Sequence, residues 1–220
     1  MSALLEDAFA RCPLVPVLVV PDTTDGASLG RALAGAGLTT AEVTLRSPAA
    51  LDVLAACVQA AGERLVVGAG TVVDVEQVDR VAEAGGRFVV SPALDLDVVA
   101  RARELGLAVL PGVATPGDVQ RARRAGLDVL KLFPAAVVGG PGMAAALAGP
   151  YPGVRLVPTG GVDASTARDY LARSNVVAVG GSWFVPAARL GALDGSGSAA
   201  EAAARADVHR LVGEALAGLA

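Results

Sequence analysis

One lysine stands in a chain that otherwise meets every need for a cationic side chain with arginine: Lys131, against seventeen arginines. Its neighbours Val129, Leu130, Leu132 and Phe133 make a poor place for a solvated cation. Arginine stays protonated in proteins, whereas a desolvated lysine can release its proton and become a nucleophilic amine. Lysine at this single place therefore points to chemistry that a guanidinium cannot do. The plainer alternative is a lysine that snorkels its ammonium to the surface from a strand end; the all-arginine composition weighs against it.

Glu42, Thr44 and Arg46 alternate with Val43 and Leu45, so in an extended segment they share one face. A carboxylate beside a free amine is a proton shuttle, and an arginine at the rim can clamp a substrate carboxylate. Glu42 and Arg46 could also simply pair with each other. Two glycine pairs complete the set: Thr159-Gly160-Gly161 and Gly180-Gly181-Ser182. Paired glycines let backbone N–H groups approach an anion, Ser182 adds a hydroxyl, and a following helix N-terminus adds a favourable dipole.

These residues need a scaffold that brings distant segments together. Eight short runs rich in β-branched residues read as strands: 15–20, 41–45, 65–67, 88–90, 108–110, 129–133, 155–158 and 176–179. Segments with helical apolar spacing lie between them, near 27–36, 48–61, 75–84, 96–105, 116–125, 142–148 and 164–171. Asp95, Thr115-Pro116 and Asp163 mark helix starts, and Gly35, Gly62, Gly85, Gly106 and Gly126 mark stops. A short helix at 2–11 precedes the first strand, and a final helix at 199–219 follows a GALDGSGS linker that reads as flexible.

Repeated strand–helix alternation implies parallel βαβ units, and apolar strands imply burial on both faces. The expected fold is α/β, a (β/α)8 barrel formed by residues 1–220 as one domain, with a doubly wound open sheet as the alternative. In a barrel Lys131 points either inward or at the helices. The two glycine pairs then fall after the seventh and eighth strands, where such barrels hold phosphate.

Composition narrows the function. The chain has 220 residues, 53% hydrophobic and 18% charged, which suits one large core. A net charge of −4 and a pI near 5.0 give no basic surface for nucleic acid. The longest uncharged run, 132–154, is interrupted by Gly139, Gly140, Pro141, Gly142, Pro150 and Pro152, so no membrane span is expected. Glu6 and Asp7 occupy the place of a basic leader, and a cytoplasmic protein is expected. Cys12 and Cys57 lack metal-ligand spacing, and His209 is the only histidine, so neither a metal nor a cofactor is expected.

In order along the chain, EVTLR (42–46), VGAGTV (67–72), SP (91–92), KLFPA (131–135), PTGG (158–161) and GGSW (180–183) resemble the motifs of the 2-keto-3-deoxy-6-phosphogluconate (KDPG) and 2-keto-4-hydroxyglutarate (KHG) aldolases. The resemblance implies a class I aldolase on a (β/α)8 barrel, a homotrimer that needs no metal. It implies that Lys131 forms the Schiff base, that Glu42 is the general acid and base, and that Arg46 holds the pyruvate carboxylate. Thr71, Pro92 and Phe133 match the pyruvyl end, and Thr159, Gly160, Gly161, Gly180, Gly181 and Ser182 the phosphate end. The implied substrate is a phosphorylated keto-deoxy sugar acid cleaved to pyruvate and glyceraldehyde 3-phosphate, with 4-hydroxy-2-oxoglutarate as a further one. EVTLR is more similar to the gluconate branch than to the galactonate one. Ala93 and Ala136 stand where many relatives carry glycine and an acid. A non-covalent phosphate-binding isomerase or synthase, and a phosphosugar sensor without turnover, are the competing readings.

Overall fold

A computed structural model describes residues 3–219. The elements run α1 (Ala3–Arg11), β1 (Leu14–Leu18), α2 (Gly26–Gly35), β2 (Thr40–Thr44), α3 (Ala50–Ala61), β3 (Val66–Gly70), α4 (Val75–Glu83), β4 (Phe88–Val90), α5 (Leu96–Glu104) and β5 (Ala108–Leu110). They continue with β6 (Gly112–Val113), α6 (Pro116–Arg124), β7 (Val129–Leu132), α7 (Gly140–Ala148), β8 (Arg155–Pro158), α8 (Ala167–Leu171), β9 (Val179–Gly181), α9 (Ala187–Leu190) and α10 (Ala199–Ala217). The expected helix start at Ser2 and the last residue of the expected domain lie outside the described residues.

All strand pairings are parallel, in a six-stranded sheet ordered β5-β4-β3-β2-β1-β9 and a three-stranded sheet ordered β6-β7-β8. The sequence predicts eight strands; the described residues hold nine, because a short strand, β6, forms past Pro111, beyond the expected fifth strand at 108–110. Proline has no N–H for the ladder, so β5 ends on one sheet and β6 begins on the other. At the opposite seam, bridges Leu156↔Val176 and Thr159↔Gly180 connect β8 to the segment that enters and forms β9.

Element ends shift by a few residues in several places, β1 for example lying at 14–18 rather than 15–20, and three differences bear on the site. β3 extends past Val67 to Gly70, since all five of its residues pair with β2. The last strand lies at 179–181 rather than 176–179, so Gly180 and Gly181 end a strand instead of following it, paired with Val15 and Pro16. The 191–198 segment is anchored rather than free: Leu193 is fully buried and its carbonyl accepts the Asp25 N–H at 2.7 Å.

Local signals account for most helix ends. Asp25, Asp74 and Asp95 accept hydrogen bonds from the first turns of α2, α4 and α5, and Thr115 with Asp118 forms a capping box at α6. Asp163 does not cap α8; it accepts the N–H groups of Ser165 and Thr166 in the turn before it.

Two apolar clusters follow from strand alternation. Ala41, Val43, Val67, Ala69, Leu130 and Leu132 face the helices in the larger one. The opposite faces of the same strands give a second cluster, with Val15, Val66, Phe88, Val90, Leu110 and Val129, together with Leu5, Ala8 and Phe9 of α1. α1 lies across the N-terminal ends of the strands: Thr39 donates to the Ala8 carbonyl at 2.7 Å, and Arg155 pairs with Glu6 at 2.6 Å. No described helix is long and apolar enough to cross a membrane.

Candidate active site

Alternation along β7 places Val129 and Lys131 on the inner face, with Leu130 and Leu132 packed outward. Lys131 is 5% exposed, and its backbone N–H donates to the Pro111 carbonyl at 2.9 Å, across the break between β5 and β6. Of the two directions left open by the sequence, the amine takes the inward one.

Glu42, in the middle of β2 and 1% exposed, comes from the other sheet. Its Oε1 accepts from Lys131 Nζ at 3.2 Å. Two opposite charges, 89 residues apart in sequence, thus meet in a desolvated place, where removing either one alone would leave the other uncompensated. Glycines make the room. A Cβ on Gly70 would fall within contact of the Glu42 carboxylate, and one on Gly68 would collide with Phe88. Gly112, opposite Lys131 in the ladder, leaves space for the Pro92 carbonyl.

Arg46 does not pair with Glu42: its Nε donates to the Thr71 hydroxyl at 3.1 Å. Thr71 immediately follows β3 with φ of 61°, the only non-glycine residue with positive φ among those described. For a β-branched residue that conformation costs on the order of 1–3 kcal/mol. Gly70 before it and the Val72 N–H bond to Val90 at 3.1 Å hold the turn in place.

Phe133 follows Lys131 in chain order and on the same face, and Nζ stands 5.2 Å from its ring centroid, within cation–π range. The Phe133–Pro134 peptide is cis. Gly160, with φ of 91°, lies against the ring; its Cβ would stand 3.1 Å from it. Pro92 and Phe133 also border a cavity of about 120 Å3 whose lining includes Ala93, Asp118 and Arg121. Burial works against the Asp118 carboxylate, but the Thr115 hydroxyl, the N–H groups of Ala114 and Thr115 and the Arg121 guanidinium together hold it below its usual range.

The last group gathers at the seam between β8 and β9. Thr159 bridges Gly180, whose missing Cβ leaves space for the Thr159 side chain. Gly161 has φ of 75° and lies against Ala136 Cβ. Ser182, just past β9, is exposed. No long helix follows either glycine pair directly: α8 begins six residues after Gly161, and α9 has four residues. Any anion contact here comes from the glycine backbone and Ser182 more than from a helix dipole.

Glu42 and Gly180 lie mid-strand, while Lys131, Gly181 and the other residues expected at the site lie at or just past the C-terminal ends of their strands. Sequence reasoning missed Gly70, Gly112 and Pro111, which shape the site without entering the chemistry. VGAGT contains the first of them, but nothing local says which distant side chain its missing Cβ accommodates. Among the described residues, no group of three or more His, Cys, Asp and Glu is placed to hold a metal ion.

Comparison with known proteins agrees with this geometry. Residues 5–196 match the model of the KDPG and KHG aldolases. The 2-dehydro-3-deoxy-phosphogluconate aldolase of Treponema pallidum is 40% identical over 188 residues, 86% of this chain and 89% of its own. Among solved structures, the 2-keto-3-deoxy-6-phosphogluconate aldolase of Zymomonas mobilis ZM4 with 3-phosphoglycerate superposes with a TM-score of 0.81 at 37% identity, covering 96% of this chain and 94% of that one. The KDPG aldolase of Legionella pneumophila, with pyruvate captured as a covalent carbinolamine, gives 0.82 at 32% identity, covering 94% and 95%. With a family match from residue 5 to residue 196 and a relative 40% identical over 86% of its length, the chain belongs to the KDPG and KHG aldolase family.

Proposed function

We propose that the protein is a class I aldolase that reversibly cleaves 2-dehydro-3-deoxy-6-phosphogluconate to pyruvate and D-glyceraldehyde 3-phosphate, with 4-hydroxy-2-oxoglutarate as a second substrate. The observation that carries this reading is the buried approach of Lys131 Nζ to Glu42 Oε1 at 3.2 Å. A nucleophilic amine next to a carboxylate able to take and return its proton is what imine chemistry requires.

In this mechanism Lys131 attacks the C2 ketone, and Glu42 relays the protons that turn the carbinolamine into an iminium with loss of water. Arg46, held by Thr71, binds the substrate carboxylate; Pro92 and Phe133 enclose the pyruvyl end. Glu42 then removes the C4 hydroxyl proton, the C3–C4 bond breaks, and its electron pair moves into the iminium to give an enamine. The aldehyde leaves. Protonation at C3 and addition of water release pyruvate and the free amine. Thr159, Gly160, Gly161, Gly180, Gly181 and Ser182 bind the phosphate of the departing fragment. No step calls for a metal or an organic cofactor.

The same reading makes the chain one catalytic domain, its two sheets closing through Pro111 and the β8–β9 bridges into a (β/α)8 barrel with α1 as floor. It also makes the protein a cytoplasmic homotrimer, which sedimentation would test. Borohydride reduction in the presence of pyruvate, followed by peptide mapping, tests the chemistry: a pyruvyl adduct on Lys131 is expected, and a folded protein with no adduct overturns it. Turnover of the two C4 epimers decides between gluconate and galactonate branches.

A further inference from the structure

Outside the catalytic mouth a buried polar network joins α10 to α2. Glu201, in the first turn of α10, is 2% exposed. Its Oε1 accepts from the Ser28 hydroxyl at 2.6 Å and from Arg205 at 3.1 Å, and its Oε2 accepts the Gly197 N–H at 2.6 Å. Ser28 is fully buried in α2 and also accepts from Arg31 at 3.0 Å. The Ser28 hydroxyl first, then the Gly197 N–H, hold the Glu201 carboxyl below its ordinary range against the opposing effect of burial, with Arg205 contributing. Such a fully bonded buried carboxylate makes a stiff joint.

This joint sits at one end of a strap, residues 182–198, whose other end is Ser182 beside the glycines of β9. The strap is tied down along its length by the turn after β1. Thr23 donates to the Gly191 carbonyl at 3.2 Å, Thr24 to that of Leu190 at 3.2 Å, and the Asp25 N–H to that of Leu193 at 2.7 Å. Asp25 in turn accepts the Ser28 N–H at 2.7 Å. One turn of chain, 23–28, thus holds the middle of the strap through backbone carbonyls and its far end through Glu201. Arg189 and Asp207, 3.1 Å apart, join α9 directly to α10.

We infer that Glu201, acting through Ser28, is a positioning residue for the phosphate end: it fixes the strap and so the placement of the Ser182 backbone and hydroxyl. The inference rests on the proposed assignment of Gly180, Gly181 and Ser182 to phosphate. Glu201 lies beyond the 5–196 family match and touches none of the proposed reacting groups.

The test uses the full-length Glu201→Gln variant, with Ser28→Ala as a second route should the first not fold. For the phosphorylated keto-deoxy acid KM should rise about five- to tenfold with kcat nearly unchanged, on the scale of one typical net hydrogen bond. Kinetics on 4-hydroxy-2-oxoglutarate, which carries no phosphate, and trapping of pyruvate at Lys131 should stay at the wild-type level. Equal losses on both substrates, or no loss on either, would overturn the inference. Stabilisation by inorganic phosphate gives a readout independent of turnover: the rise in Tm with wild type should shrink in the variant, and an undiminished rise would count against the clamp. A wild type that forms no imine with pyruvate but responds to phosphate, with the response lost in the variant, would overturn the aldolase reading and leave the clamp standing.

Discussion

Two layers on the inner face of the strands share a backbone and differ in everything else. The lower layer, toward the strand N-termini, packs Val15, Val66, Phe88 and Val129 against Leu5, Ala8 and Phe9 of α1. Two to four residues further along β3 and β7, and on the neighbouring β2 and β6, the upper layer holds Glu42 and Lys131, with Gly68, Gly70 and Gly112 in place of side chains. The lower layer is filled by large groups, while the upper one keeps room by leaving Cβ atoms out. Alternation along a strand decides only which way a side chain points; its distance from the C-terminal end decides whether packing or chemistry is asked of it.

The sharpest way to break the contrast is to make the upper layer resemble the lower. Lys131→Met should abolish turnover and pyruvate trapping, since no other amine stands beside Glu42, and should destabilise the fold by about 3–5 kcal/mol by stranding the buried carboxylate. Adding Glu42→Leu should recover that stability, or exceed it by about 1–4 kcal/mol, with activity still absent. Denaturant unfolding and single-turnover assays would separate the two effects, and a double variant less stable than the single one would mean that the pair holds the fold.

Truncation of the lower layer should do the reverse. Phe88→Ala should cost about 3–5 kcal/mol by opening a cavity, with kcat per folded molecule nearly intact at low temperature. A loss of imine formation in properly folded Phe88→Ala would show that the layers are coupled. Glu42→Gln, which keeps the shape and removes the proposed proton shuttle, should lower kcat by about 10²–10⁴-fold with little change in stability. Gly70→Ala adds the Cβ that the upper layer omits. It should displace the Glu42 carboxylate, cost about 1–3 kcal/mol of overpacking, and depress kcat more than it depresses binding of pyruvate.

The smallest effect lies in neither layer and serves as a baseline. The hydroxyls of Ser165 and Thr166 hold Asp163 below its ordinary range, and the Ser196 hydroxyl does the same for Asp194. A carboxylate whose folded value is depressed binds fewer protons folded than unfolded, so its contribution is complete above about pH 4 and fades as the pH falls through the folded values. Tm measured from pH 7 downward should stay level and then drop below about pH 4. A drop beginning well above that pH would show that these two carboxylates do not set the acid limit.

What the sequence reveals and what it hides divide along the same line. The shared face of Lys131 and Phe133, that of Glu42 and Arg46, and the caps at Asp95 and Thr115 are written in local pattern, because alternation and capping act over two to four residues; that the first two faces meet is not, since 89 residues separate Glu42 from Lys131. The break at Pro111 is visible as a proline, but its transfer of the chain from one sheet to the other depends on which strands close beside it. Gly180 and Gly181 read locally as a turn and belong to a strand because β1 pairs with them. The Ser28–Glu201 joint spans 173 residues, beyond the reach of any periodicity, and the GALDGSGS composition that suggests freedom says nothing of Asp25 and Leu193 meeting across it.

The solitary lysine has one more consequence, for spectroscopy. Supplying ¹⁵N-lysine to an otherwise unlabelled culture would mark a single residue, with one backbone amide that donates to Pro111 at the break between the sheets and one side-chain nitrogen beside Glu42. A spectrum with two signals would then follow the proposed reaction centre through every titration and every ligand, with no side chain altered.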